Sequence, residues 1–237
     1  MIVFWRLLLA YYICAVIFYN RRFFAWRDKH RIFAHTLEGV CFAAIAAVLC
    51  KSYLSLNWQL ADLWPMPGWL GILAIAAVYA VDNRLFVFRA EQKHGYAWTF
   101  LAHEIVFLLA CLACSPLDVL YHTGDLTAEY GTVCAVGVLI VTKMFNVFVY
   151  MVEQDMYHRT ELPTLDENAL TMLMRLIFFL IMLLPGWRGI IGFFIWFWAC
   201  GEAHQNRLID FSRFALYFGA FGATAVGLLV RFSWYWY

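Results

Sequence analysis

The stretch AWTFLAHEIVFLLACLACSP, residues 97–116, decides the fold class, because it is an apolar run of membrane-crossing length that carries His103 and Glu104 inside it. About 20 consecutive apolar residues span a bilayer as one α-helix. Working outward, further apolar runs separated by polar turns cover approximately 2–19, 33–50, 68–88, 130–152, 169–185, 187–201 and 211–232. The sequence therefore predicts an all-α polytopic transmembrane helix bundle of about eight spans (six to eight), with no soluble domain. Residues 1–237 read as a single integral membrane domain. The runs at 169–185 and 187–201 are short for a full crossing, and LLPGWRGI between them holds the helix stop Pro185–Gly186. These two form a tight hairpin or a re-entrant pair.

Composition agrees. Charged residues make up 14% of the chain, against about 25% in soluble domains, and no polar stretch is long enough to build a core of its own. A net charge of +1 leaves no basic face for nucleic acid. The cysteines at 14, 41, 50, 111, 114, 134 and 200 are scattered through apolar runs, unlike a secreted disulfide framework. IVFWRLLLAYYICAVIFY lacks a basic leader and is followed by NRRFFAWRDKHR without a small-residue cleavage site, so it reads as a retained first span.

Lysine and arginine are retained in short cytoplasmic loops. Arg21, Arg22, Arg27, Lys29 and Arg31 follow the first run; Arg84, Arg89 and Lys93 the third; Arg159 the fifth; Arg207 and Arg213 the seventh. The opposite loops hold Lys51, Arg188 and Arg231. This alternation predicts a multi-pass protein of the plasma (inner) membrane with both termini outside. Trp58, Trp64, Trp69, Trp187 and the terminal SWYWY then fall at the outer headgroup level, where amphipathic rings prefer to lie.

With that orientation, polar residues inside the spans form a layer in the cytoplasmic half. Glu38 lies three residues after His35, on one helix face. Asp82, Asn83 and Arg84 end the third run, and Lys143, Asn146, Tyr150 and Glu153 fall on one stripe of the fifth. Arg175 lies in the sixth, with Glu202 and His204 closing the seventh. Charges at the bilayer centre cost about 2.5–3.5 kcal/mol on insertion scales and face the bundle interior, water or each other. The expected functional polar layer is Glu38, His103, Glu104, Lys143, Asn146, Arg175 and Glu202, with Glu104 and Lys143 as its central pair. The same layer also serves a purely structural role if it only pins helices together.

Metal and thiol chemistry are weakly signalled. A zincin helix needs a second histidine four residues after the first, and position 107 is phenylalanine. No metal ligands are assigned, and the spacing names no cofactor. Cys111 and Cys114 form a CxxC, but a thiol needs access and a thiolate form to react, and packing is the simpler role for both. Gly39, Ala43 and Ala47, and Gly219, Ala223 and Gly227, recur every four residues and permit close helix packing, within the bundle or in a homo-oligomer. NRRFFAWRDKHR mixes bases with aromatic rings, as a segment lying on anionic lipid would.

The leading functional expectation is a non-enzymatic membrane protein that conducts or couples ions or protons, or serves as the membrane subunit of a larger assembly, with the lipid bilayer as its constant partner. The first alternative is a membrane enzyme acting on a lipid-borne substrate at the cytoplasmic interface, using His103, Glu104, Asp155, His158 and His204. The second is a thiol oxidoreductase working through Cys111 and Cys114.

Overall fold

The computed structural model describes residues 2–18, 23, 26–27, 29–55, 57–60, 64–91, 95–114, 126–157, 165–206 and 212–234. Helices occupy each of the apolar runs: α1 (Ile2–Phe18), α2 (Arg31–Leu49), α3 (Gly68–Glu91), α4 (Tyr96–Cys114), α5 (Leu126–Leu139), α6 (Phe145–Tyr157), α7 (Leu165–Leu183), α8 (Arg188–Gln205) and α9 (Arg213–Trp234). A π-helical turn, Ile140–Met144, joins α5 to α6 without a break, and π turns inside helices often mark functional positions. Among the described residues, four helices are long and apolar enough to cross a membrane: Arg31–Leu49, Tyr96–Cys114, Glu129–Met156 and Arg213–Ser233. Ile2–Phe18 is a shorter apolar helix.

The chain divides into two compact units, Met1–Thr132 and Val133–Tyr237. In the first, α1 packs on α2 and α4, and α3 on α2 and α4. The contacts give the direction of these helices. Phe42 meets Tyr79 while Glu38 meets Asn83, and Tyr79 meets Phe107 while Asp82 meets His103. Numbers falling on one helix as they rise on the next mean that α2, α3 and α4 alternate in direction. Gly39 lets α2 approach closely, since a Cβ there would lie 3.2 Å from Ala80 Cβ and 3.3 Å from Ala76 O.

Between α2 and α3 the sequence reading expects only an outer loop. The structure instead builds a short 3-10 turn, Lys51–Tyr53, and an antiparallel hairpin of β1 (Asn57–Leu60) and β2 (Trp64–Pro67). Trp58, expected among the headgroup aromatics, is fully buried, and its indole N–H donates to Tyr53 O at 3.0 Å. Its ring lies over the first turn of α3, where a Cβ on Gly68 would come within 2.7 Å of Trp58 Nε1 and one on Gly71 would collide with the ring. Glycine is thus required to seat the tryptophan. Gly71→Ala is expected to lower stability by about 1–3 kcal/mol, as overpacking does, measured as a drop in the thermal or denaturant midpoint. Trp69 and Trp187 are exposed.

In the second unit α7 packs against α8, α9, α6 and the π turn. The chain turns from α7 to α8 through Gly186, whose φ of +66° is a left-handed conformation that favours glycine. The Pro185–Gly186 stop therefore makes a helical hairpin. The small-residue face of α9 lies on α7: a Cβ on Gly227 would sit 2.7 Å from Met182 Cβ, and one on Gly219 2.9 Å from Arg175 Nε. Ala223 between them is fully buried.

Candidate functional site

Four helices of the first unit each send one ring into a shared aromatic layer. These are Tyr11 of α1, Phe42 of α2, Tyr79 of α3 and Phe107 of α4, all buried. Tyr11 stacks on Phe107 with centroids 4.1 Å apart, while Phe42 and Tyr79 meet Phe107 edge-on at 5.6 and 5.7 Å. The polar residues lie one helical turn from these rings, all to the same side. Glu38 and His103 precede Phe42 and Phe107 by four residues, and Asp82 and Asn83 follow Tyr79 by three and four, as alternating helix directions require. Tyr11 joins the two layers, with its ring among the aromatics and its hydroxyl among the polar groups.

The polar layer contains a continuous hydrogen-bonded chain. His103 Nδ1–H donates to Asp82 Oδ2 at 2.5 Å, His103 Nε2 lies 3.2 Å from Tyr11 Oη, and Tyr11 O–H donates to Glu104 Oε1 at 2.5 Å. Buried polar groups need such partners, because an unmade bond costs about 1–3 kcal/mol. Beside it stands a second group. Glu38 Oε2 accepts from Asn83 Nδ2 at 2.9 Å and lies 3.3 Å from His35 Nδ1. His35, Glu38, Asn83 and His103 are all buried.

Farther along the first unit, Arg6 of α1 forms an ion pair with Glu129 of α5. Its Nη1 also donates to Leu49 O at 2.7 Å, satisfying a carbonyl at the end of α2, and its guanidinium lies 4.9 Å from the centre of the Tyr53 ring.

The second unit carries its own polar group. Asn146 Nδ2 donates to Asn168 Oδ1 at 2.8 Å, and Thr171 Oγ1 lies 3.4 Å from Asn146 Oδ1. Arg175 Nη1 reaches the same oxygen at 3.5 Å. Glu153 accepts from the Ser212 hydroxyl, whose oxygen in turn accepts from Ala215 N at 3.0 Å, the N-cap arrangement at the start of α9. Lys143 lies in the π turn and is half-buried.

Of the residues expected from sequence, Glu38, His103 and Glu104 thus belong to the first unit, and Asn146 and Arg175 meet in the second. The described hydroxyl partner of Glu104 is Tyr11, and Lys143 belongs to the other unit. Glu202 is exposed on the last turn of α8. Among the alternative acid–base candidates, Asp155 and His204 are half-buried, and His158 lies outside the described residues. Tyr11, Asp82, Arg6 and Glu129 escape the sequence-derived set. All seven cysteines are free thiols, with Cys111 and Cys114 both buried. Among the described residues, no group of three or more His, Cys, Asp or Glu side chains is placed to hold a metal ion.

No protein-family model, curated protein or solved structure matches this chain.

Proposed function

We propose that the chain is a multi-pass integral membrane protein of about eight spans that moves protons or couples to their movement, through Asp82, His103, Tyr11 and Glu104. The observation that carries this reading is the tyrosine hydroxyl set between an imidazole nitrogen and a carboxylate oxygen. Two proton arrangements satisfy every bond of that chain. In one, an imidazolium donates Nδ1–H to Asp82 and Nε2–H to Tyr11 Oη, while Tyr11 O–H donates to the Glu104 carboxylate. In the other, protonated Glu104 donates to Tyr11 Oη, Tyr11 O–H donates to His103 Nε2, and Nδ1–H still donates to Asp82.

Both arrangements hold the same number of protons. Conversion moves the Nε2 proton onto the tyrosine oxygen and the tyrosine proton onto Glu104, so one positive charge passes from His103 to Glu104 through the hydroxyl oxygen while only two protons move. Histidine and carboxylate groups inside membrane helices are the side chains from which proton relays are built. The packed rings of Phe42, Tyr79 and Phe107 form an apolar barrier on one side of the polar layer. That asymmetry favours a gated or coupled proton step over an open water pore.

The membrane reading rests on the apolar helices and on outward-facing side chains such as Leu73, Ile105, Leu109, Phe194, Trp198 and Leu229, all exposed. The loop charges orient both termini outside and put the polar layer in the cytoplasmic half. In a cysteine-free background, single cysteines at Asn57 or Asp125 are expected to react with an impermeant maleimide from outside, and at Arg27 or Gln92 not to. The reverse pattern would invert the topology. Function is tested in proteoliposomes holding a pH-sensitive dye, with a potassium gradient and valinomycin supplying the voltage. The protein is expected to carry protons down that voltage, and flux equal to that of empty vesicles in both orientations would refute uncoupled conduction.

A further inference from the structure

We propose that Arg175 holds an oxyanion, a carboxylate or phosphate group, on one edge of its guanidinium. This site lies in the second unit and stands independently of the proton chain. Arg175 is 0% exposed, near the middle of α7, beside Met174 and one turn before Phe178 and Phe179. A guanidinium presents five N–H donors in a rigid plane and keeps its charge. Nη1 makes the long contact to Asn146 Oδ1 at 3.5 Å, whereas Nε and Nη2 have no hydrogen-bond partner among the described residues.

The identity of those two atoms matters. Nε–H and Nη2–H lie on the same edge of the plane and point in parallel, forming the fork that a carboxylate or phosphate takes with two oxygens. Nearly all buried polar atoms in folded proteins are satisfied, and a buried charge without partners is among the costliest arrangements. Two adjacent orphan donors on one buried cation call for a ligand with two acceptor oxygens and negative charge.

Gly219 of α9 packs against the arginine, where a Cβ would come within 2.9 Å of Nε, so the α9 backbone approaches the guanidinium closely without a side chain of its own. The polar neighbours have other bonds: Asn146 with Asn168, Thr171 with the Glu167 and Asn168 carbonyls. Glu153 is the carboxylate whose charge bears on Arg175, and it accepts from the Ser212 hydroxyl. The oxyanion can arrive as a free anion from water or as the headgroup of an anionic amphiphile from the bilayer.

The test uses the purified full-length protein in an uncharged detergent, heated with increasing inorganic phosphate, acetate or short-chain phosphatidic acid. At least one probe is expected to raise the wild-type Tm saturably. The response should be absent in Arg175→Met and require roughly tenfold more probe in Arg175→Lys, whose ammonium lacks the fork. A response to phosphate or acetate assigns an aqueous anion, and one to phosphatidic acid alone assigns a lipid headgroup. Without probe, Arg175→Met should melt at or above the wild-type temperature, since it replaces a buried cation whose Nε and Nη2 lack hydrogen-bond partners among the described residues with an apolar side chain of similar length. No saturable response in wild type, an equal response in Arg175→Met, or a lower probe-free Tm for that variant would each overturn the proposal, the last because the protein itself would then supply the partner.

Discussion

Tyr11→Phe is expected to lower proton flux through the reconstituted protein about 100-fold, the lower end of what a positioned acid–base group contributes. The substitution is nearly isosteric. A phenyl ring keeps the 4.1 Å stack on Phe107 and the edge contact with Tyr79, so the aromatic layer survives. What is lost is the oxygen that lies between His103 Nε2 and Glu104 Oε1. Leaving those partners without their shared hydroxyl should cost about 1–3 kcal/mol of stability, visible as a modest fall in Tm but not as loss of folded protein. Flux in the vesicle assay within a factor of about three of wild type would remove Tyr11 from the path.

Glu129→Ala carries the largest expected effect on stability, up to about 3–5 kcal/mol, because removing one partner of a largely buried ion pair leaves the other uncompensated. Glu129 is buried, and Arg6, its partner, also closes the end of α2 through Leu49 O and lies over Tyr53. One arginine thus ties α1, α2 and α5 together within the first unit. Replacing both partners by apolar residues, Arg6→Met with Glu129→Leu, should recover part of the loss, since the pair's desolvation cost disappears along with its attraction. The remainder reflects the orphaned Leu49 carbonyl. Equilibrium unfolding in mixed micelles measures all three variants, and a loss under about 1 kcal/mol for Glu129→Ala would show that the pair contributes as little as an exposed one.

The helices were legible because apolar length is written directly in sequence: each long run became a helix, and Pro185–Gly186 marked a true break. The polar layer was partly legible for the same reason. His103, Glu104 and Glu38 stand out in apolar surroundings, and their depth along each helix follows from counting residues. Depth is one coordinate, however, and partner choice needs the direction each side chain faces. Pairing Glu104 with Lys143 rests on depth alone, and within the first unit Glu104 accepts from the Tyr11 hydroxyl, a contact that depth does not reveal.

Tyr11 itself reads as one more aromatic in an apolar run, so only the tertiary arrangement reveals its oxygen as a bridge. Asp82 was read as a helix end because DNR resembles a boundary, yet α3 continues to Glu91. Arg6 and Glu129 are 123 residues apart, beyond any local pattern. Trp58 shows the opposite failure. A tryptophan near a span end is usually an interfacial anchor, but here glycines at 68 and 71 make room to bury it. The signal was present as glycines three and six positions after Pro65, without anything to say which ring they would admit.

In the proposed chain, His103 and Glu104 share one proton through Tyr11. Infrared difference spectroscopy during acidification tests it directly, with the imidazole band assigned by isotope-labelled histidine and the His103→Gln variant, and the protonated-carboxyl band by Glu104→Gln. Strongly interacting groups titrate as a unit. The account predicts that in wild type both bands grow together with a common pH midpoint, and that in Tyr11→Phe they separate into independent midpoints. Separate midpoints in the wild-type protein, or titrations unchanged by Tyr11→Phe, would contradict it.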